Sequence, residues 1–440
     1  MRKELIIRLI ALLLCLLMAL PAAAEELLVA APDQPDTVPY PATDAFGFFL
    51  DDDAYQAWHE SVNTQRRDIP SAETLTPFLT ASTQAVLTGS DGENRVYSPM
   101  SLYMALAMLA ETTGGETREE ILSLLGQEDI ASLRQQASDL WNANYRNDGV
   151  MTRTLATSLW LNEDIPFRQE TVDNLAGGYY ASVYRGKMGS PELNAALQRW
   201  LNDNTLGLLT EQVQSITLPP DTAVAIASTV ALSARWSDTF YEGNTSSAVF
   251  HTPDGDVTCD FMLSVSEDNV YWGERFMAAH RSFDQGGAMW FILPDEGVSV
   301  DDLLADAEAL AFMLDASAIR NNRYVELHLS VPKFDVSSQL ELSQSLQALG
   351  VTEVFDADAA DFTPLSDSGL PISLSQVRHD ARVAIDEEGC EAAAYTVMML
   401  AGSAMPQHRE VVELVLDRPF LFVITGAGGL PLFVGVVNEP

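Results

Sequence analysis

An α+β fold, with helices gathered toward the N-terminus and large mixed or antiparallel β-sheets toward the C-terminus, is what this 440-residue sequence predicts. Three observations lead there. Segments of helical period crowd the first 150 residues, alternating or continuously apolar runs fill the last third, and no strict strand–helix alternation runs between them.

Taken in order, Arg2 and Lys3 precede an apolar run from Leu5 to Leu20, and Ala22-Ala23-Ala24 offers the small residues of a cleavage site. Residues 1–24 therefore read as a secretory signal peptide, and the mature protein is expected to be secreted, extracellular and free of the membrane once the signal is removed. Residues 25–69 form an N-terminal extension. Its Pro- and acid-rich start to about residue 45 reads as a flexible leader, and "AFGFFLDDDAYQAWHESV" as a short docked helix. Residues 70–440 then make the main domain. "SAETLTPFLTASTQAVLTG", "VYSPMSLYMALAMLAETTGG" and "ETREEILSLLG" are helices closed by glycines. "TRTLATSLWLN" alternates as a strand, "SPELNAALQRWLNDNTLGLLTEQV" returns to helix, and "TAVAIASTVALSARW" reads as a strand buried on both faces. Four strand-rich stretches follow: "RYVELHLSVPKFDVSS", "SLSQVRHDARVAIDEE", "EVVELVLDRPFLFVIT" and "LPLFVGVVN". One helix, "LELSQSLQALG", lies among them.

Composition bounds the function. The chain is 47% hydrophobic and 20% charged, which is globular, and its net charge of −39 disfavours nucleic acid and anionic membrane, both of which need clustered Lys and Arg. No G-x-S-x-G, H-E-x-x-H, phosphate loop or Cys/His cluster occurs, so no enzyme, no cofactor and no metal is expected. Only Cys259 and Cys390 follow the signal. So large an exported chain without a disulfide framework fits a bacterial source, with a Cys259–Cys390 bridge as the lesser alternative.

The segment "DEEGCEAAAYTVMMLAGSAMP" (386–406) combines a core-like Ala/Val/Met/Leu run with a loop-like end. Read as a strand, one face carries Cys390, Ala392, Ala394, Thr396, Met398, Leu400 and Gly402, small and then apolar. The other carries Glu391, Ala393, Tyr395, Val397, Met399 and Ala401. Such a segment joins a buried-type face to a loop-type end.

Five blocks, in order, carry a resemblance to the serpin family of serine protease inhibitors. "NRVYSPMSLYMALAMLAETTGGET" resembles its N-terminal helix entry, "LNAALQRWLNDNTLGLLTEQV" with "ALSARW" its middle signature, "VPKFDV" a further strand, and "VLDRPFLFVITGAGGLPLFVGVVNEP" its C-terminal signature. The resemblance implies the serpin fold over the main domain, with an exposed reactive loop that can insert as a central strand. It implies an irreversible suicide-substrate inhibitor, monomeric, whose partner is a serine protease held in a covalent complex. The alternative is a non-inhibitory serpin-fold binding or chaperone-like module.

The same resemblance assigns a hinge to Glu387, Glu388, Gly389, Cys390, Glu391, Ala392, Ala393, Ala394, Tyr395 and Thr396. It assigns control of sheet opening to Ser98, Ser101, Ser228 and His379, with Lys333, Glu387 and Trp236 at the top of the sheet. Two positions depart from the family. Cys390 stands where many inhibitory members have Thr or Ser, and Ser228 where the family usually has Asn. Counting the hinge glycine as first, the fifteenth residue places the cut at Ser403–Ala404, with Gly402 and Met405 as neighbouring candidates. The small and aliphatic residues around that bond suit elastase-like or subtilisin-like proteases.

Overall fold

The computed structural model describes residues 26–35, 37–44, 48–65, 72–315, 318–374, 376–390 and 410–440. Among them two sheets form. The first has eight strands, in the order β1 (Leu28–Ala30), β5 (Ala181–Gly186), β4 (Thr152–Asn162), β6 (Val224–Arg235), β14 (Gly389–Cys390), β13 (Arg378–Ile385) and β12 (Phe334–Glu341), with β3 (Arg146–Asn147) against β4. The second has nine. It runs β15 (Val411–Val415), β11 (Asn322–Pro332), β8 (Gly255–Trp272), β9 (Phe276–Ser282), β10 (Ala288–Pro294), β16 (Phe420–Thr425), β17 (Pro431–Val437) and β2 (Arg95–Tyr97), with β7 (Ser246–Thr252) against β8. Only β4–β5 and β11–β15 pair in parallel, so both sheets are mixed but mostly antiparallel. The α+β prediction holds.

The helix Pro99–Thr112 is the centre of the core. Ser98 caps it by accepting a hydrogen bond from the Ser101 backbone N–H at 3.1 Å, and Pro99 sits at its first turn, where no N–H is needed. Every residue from Pro99 to Thr112 except Ala105 is buried, because the helix is apolar nearly all round. One continuous apolar cluster joins this helix to Ala72–Leu87, Ile130–Asn144 and both sheets. A smaller cluster around Trp160, Leu193, Leu197 and Trp200 packs the amphipathic helix Pro191–Asp203 against the first sheet.

Three expectations change in the structure. The block "VPKFDV" (331–336) is not a single strand. Pro332 ends β11 in the second sheet and Phe334 begins β12 in the first, so the chain changes sheets at Lys333. Strand β6 is not buried on both faces, because its lower half, Val224–Ser228, is half-buried. The leader is ordered where it finds partners. Leu28 and Ala30 pair antiparallel with β5, whose outer edge would otherwise offer unpaired backbone groups. Farther along, the Tyr40 N–H donates to the Asp148 carbonyl, and Trp58 Nε1 donates to Asp148 Oδ2 at 3.1 Å. Asp148 is in turn paired with Arg146 at 2.6 Å. The expected docked helix is Asp52–Gln65, with Trp58 buried. Both Cys259 and Cys390 are free thiols.

Candidate functional site

Strand β6 is paired with β4 over ten residues, from Thr152↔Ser233 to Leu161↔Val224. On its other side, among the described residues, the two residues of β14 alone pair with it, Gly389↔Arg235 and Cys390↔Ala234. Strand β13 meets β14 at a single pair, Ile385↔Cys390. Among the described residues no ladder joins β6 directly to β13. Because β14 is antiparallel to both, β6 and β13 run parallel, with β14 as a wedge at the top of the gap between them. Below lies a small pocket whose walls include Ile226 and Ser228 of β6, His379 of β13, and Leu102 and Leu106 of the central helix. This gap explains the partial exposure of lower β6.

The wedge is held at many points. Asp386 turns the chain, its Oδ1 accepting the N–H groups of Glu388 at 2.8 Å and Gly389 at 3.0 Å, and its own N–H donating to the Gly389 carbonyl. The Trp236 N–H donates to the Glu388 carbonyl, and its indole Nε1 to the Asp386 carbonyl, both at 3.0 Å. Its ring stacks on Phe283 at 4.9 Å. The Glu387 carboxylate takes Lys333 Nζ and the Thr245 hydroxyl, each at 2.7 Å. Burial works against its charge, but these two donors outweigh it and hold the Glu387 carboxyl below the usual range. Glycine is required at 389, since a Cβ there would run into the Ala234 carbonyl oxygen. Cys390 is 3% exposed and faces inward with Ala234 and Ile385.

Lower down, four predicted residues meet. The Ser98 N–H donates to His379 Nε2 at 3.0 Å, which leaves the imidazole proton on Nδ1. Ser101 Oγ donates to Ser228 Oγ at 3.0 Å, and Ser228 Oγ donates to the Ser101 carbonyl at 3.0 Å. Helix entry and both gap-flanking strands are therefore hydrogen-bonded at one level. Serine at 228 reaches the Ser101 end of the group, and His379 is bonded to Ser98. Ser98, Ser101, Ser228, His379, Lys333, Trp236 and Glu387 to Cys390 thus fall into two clusters, one at the top of the gap and one beneath it. Glu391 to Thr396 and Gly402 to Met405 lie outside the described residues. Two partners escaped sequence reading. Thr245 is 142 residues from Glu387 in sequence and left no local mark. Asp386 was legible as an Asp-x-x-Gly turn.

Burial lowers the His379 pKa to about 4. The unfolded chain then binds a proton near pH 6.5 that the native state refuses until about pH 4. Stability should therefore be full above pH 6.5 and fall as pH drops toward 4, by up to about 3 kcal/mol for this group. His280, also depressed by burial, adds to the same window. Urea midpoints measured from pH 7 to 4.5 should decline, and His379→Gln should flatten the decline. An equally steep decline in His379→Gln would show that other groups govern it.

The comparisons agree with this architecture. A family model described as Serpin (serine protease inhibitor) matches residues 74–440. The chain belongs to the serpin family. It is 27% identical over 369 residues to Serpin-ZX of Arabidopsis thaliana, covering 81% of this chain and 94% of that one. It is 27% identical over 380 residues to Alpha-1-antitrypsin 1-3 of Mus musculus, covering 84% and 89%. Among solved structures, the thermophilic serpin tengpin in the native state superposes with a TM-score of 0.75 at 22% identity, covering 94% of this chain and all of that one.

Proposed function

We propose that this serpin is an irreversible suicide-substrate inhibitor of an elastase-like or subtilisin-like serine protease. The observation that carries the reading is the wedge: a two-residue strand, antiparallel to both flanks, enters a gap between two parallel strands that no other ladder joins among the described residues. A ladder continued in this register would set Ala392 against Leu232 and Val383, Ala394 against Val230 and Ala381, and Thr396 against Ser228 and His379. Ala381 and Val383 are inward and buried, so small residues are required opposite them. The protease's own nucleophile supplies the chemistry. The serpin offers the bait at Ser403–Ala404, adds no catalytic residue, metal or cofactor, and acts as a monomer. Its setting is extracellular, after removal of residues 1–24, and the absence of a Cys259–Cys390 bridge fits a bacterial source.

The test is incubation with elastase, subtilisin, trypsin and chymotrypsin, followed by SDS gels and mass spectrometry of the released peptide. The expected result is an SDS-stable complex with elastase or subtilisin and a new N-terminus at Ala404, or at a bond flanking Gly402 or Met405. Complexes with trypsin alone would refute the target class. Cleavage without any complex would favour the non-inhibitory module.

A further inference from the structure

At its β15 end the second sheet has one face in the core and one in solvent. Alternate residues of β15, β11 and β8 point to opposite sides. Leu414, Leu327, Leu329 and Met262 point inward and are buried. The opposite face of such a sheet is expected to be polar. Instead it carries Val411 and Val415 of β15, Tyr324 of β11, and Leu263 and Val265 of β8, all exposed, with Val411, Tyr324 and Val265 at 53%. The ladders set these side by side: Ser330 is flanked by Val415 and Leu263, and His328 by Glu413 and Val265. With strands about 4.8 Å apart, the patch is about 10 Å wide from β15 to β8. A single exposed apolar residue is ordinary, but five on one sheet face mark an interaction surface.

Charge and position say what covers it. The same face bears Glu413, Glu326 and Glu267, and its basic group is His328, whose Nε2 lies 3.1 Å from Glu326 Oε1. Arg323, at the start of β11, is paired with Glu410 at 2.6 Å and stacked on Trp272 at 4.3 Å. An acidic, apolar face on a chain of net charge −39 repels a second copy, a nucleic acid and an anionic membrane, and suits a basic protein. Position narrows the class of that protein. Strand β15 begins at Val411, and the bait residue Ala404 lies seven residues earlier in the sequence. Seven residues of chain span at most about 25 Å. A protease domain of about 230 residues has a radius of gyration near 17 Å and is about 45 Å across. With its active site on the bait, its rim comes within reach of this face.

We propose that this face docks the target serine protease, through a basic and partly apolar rim beside the protease's active-site cleft; this rests on the inhibitor reading above. Leu263, Val265, Val411 and Val415 bury against that rim, and Glu413 and Glu326 pair with its Lys or Arg side chains. The contact selects among proteases whose shallow pockets would all accept the small residues of the bait.

Surface plasmon resonance with elastase and subtilisin whose nucleophilic serine is replaced by alanine tests this, because such enzymes bind but do not cut. The wild-type chain should bind at least one of them, and more weakly as NaCl rises from about 0.05 to 0.5 M. Glu413→Arg should weaken that binding about tenfold at the lower salt and flatten the salt dependence. Glu128→Arg, an equal charge change at an exposed position before the helix Ile130–Asn144, should leave it within about twofold. Leu263→Ser combined with Val265→Ser, checked by circular dichroism, should weaken it about tenfold at every salt concentration. With active protease the same variants should slow complex formation and leave the number of inhibitor molecules consumed per protease unchanged, since insertion follows docking. No binding to either inactive protease, affinity unchanged in Glu413→Arg or in the double serine variant, or equal weakening by Glu128→Arg would each overturn the docking surface. So would a dimer that the double variant dissolves in sedimentation, which would seat a second copy there. Patch-dependent binding without trapping would instead overturn the inhibitor reading and leave the docking surface in place.

Discussion

Ala394→Arg is expected to leave cleavage by the target protease intact while abolishing the SDS-stable complex. If the hinge continues in the register of Gly389 and Cys390, position 394 enters between Val230 and Ala381, with Ala381 4% exposed in the intact fold. An arginine there must lose its hydration with no acid on the inward face of either flanking strand, which costs several kcal/mol, and it must also fit a space shaped for a methyl group. Trapping is a race between insertion and release of the cleaved inhibitor. Each ~1.4 kcal/mol added to the insertion barrier shifts that race about tenfold toward release. The number of inhibitor molecules consumed per protease should therefore rise from near one to well over ten. A stoichiometry unchanged from wild type would exclude insertion as the trapping step. Ala393→Arg, on the face expected to point to solvent, is the matched control and should still trap.

Cleavage of the segment after Cys390 should raise the melting temperature on the order of 20 °C, the second large effect. Among the described residues, the facing edges of β6 and β13 have no ladder except at β14. A strand of about 14 residues filling that gap adds ladder bonds worth roughly 1 kcal/mol net each, and covers the half-exposed lower part of β6. The sum exceeds ~10 kcal/mol, so the intact protein is the less stable of the two states. Thermal unfolding followed by circular dichroism, before and after a single elastase cut, measures the difference directly. Equal melting points for the two forms would support the non-inhibitory module.

The gap itself was only half visible in the sequence. The alternation from Cys390 to Leu400 predicted an inward set and an outward set, and the inward burial of Cys390 between Ala234 and Ile385 agrees with that phase. Strand β6 misled, because Val224–Arg235 is apolar enough to read as buried on both faces. Apolarity records what the strand can bury, not whether a neighbour is present. The leader misled in the opposite sense. Its Pro-rich composition argued for a loose chain, yet three residues suffice to pair with the β5 edge, and Trp58 anchors the rest on Asp148.

Local chemistry is what the sequence by itself determined: the capped helix after Ser98, the strand periods of the last third, the Asp386 turn with its obligatory Gly389, and the small-residue face of the hinge. These depend on neighbours within a few residues, where backbone sterics and side-chain period act directly. Only the tertiary structure decided which strands flank the wedge, that Thr245 joins Lys333 on Glu387, and that His379 meets Ser98 while Ser228 meets Ser101. Such side-chain contacts join residues more than fifty positions apart. Their energies depend on burial and on which groups share a low-dielectric space, and neither is written in any local stretch of the chain.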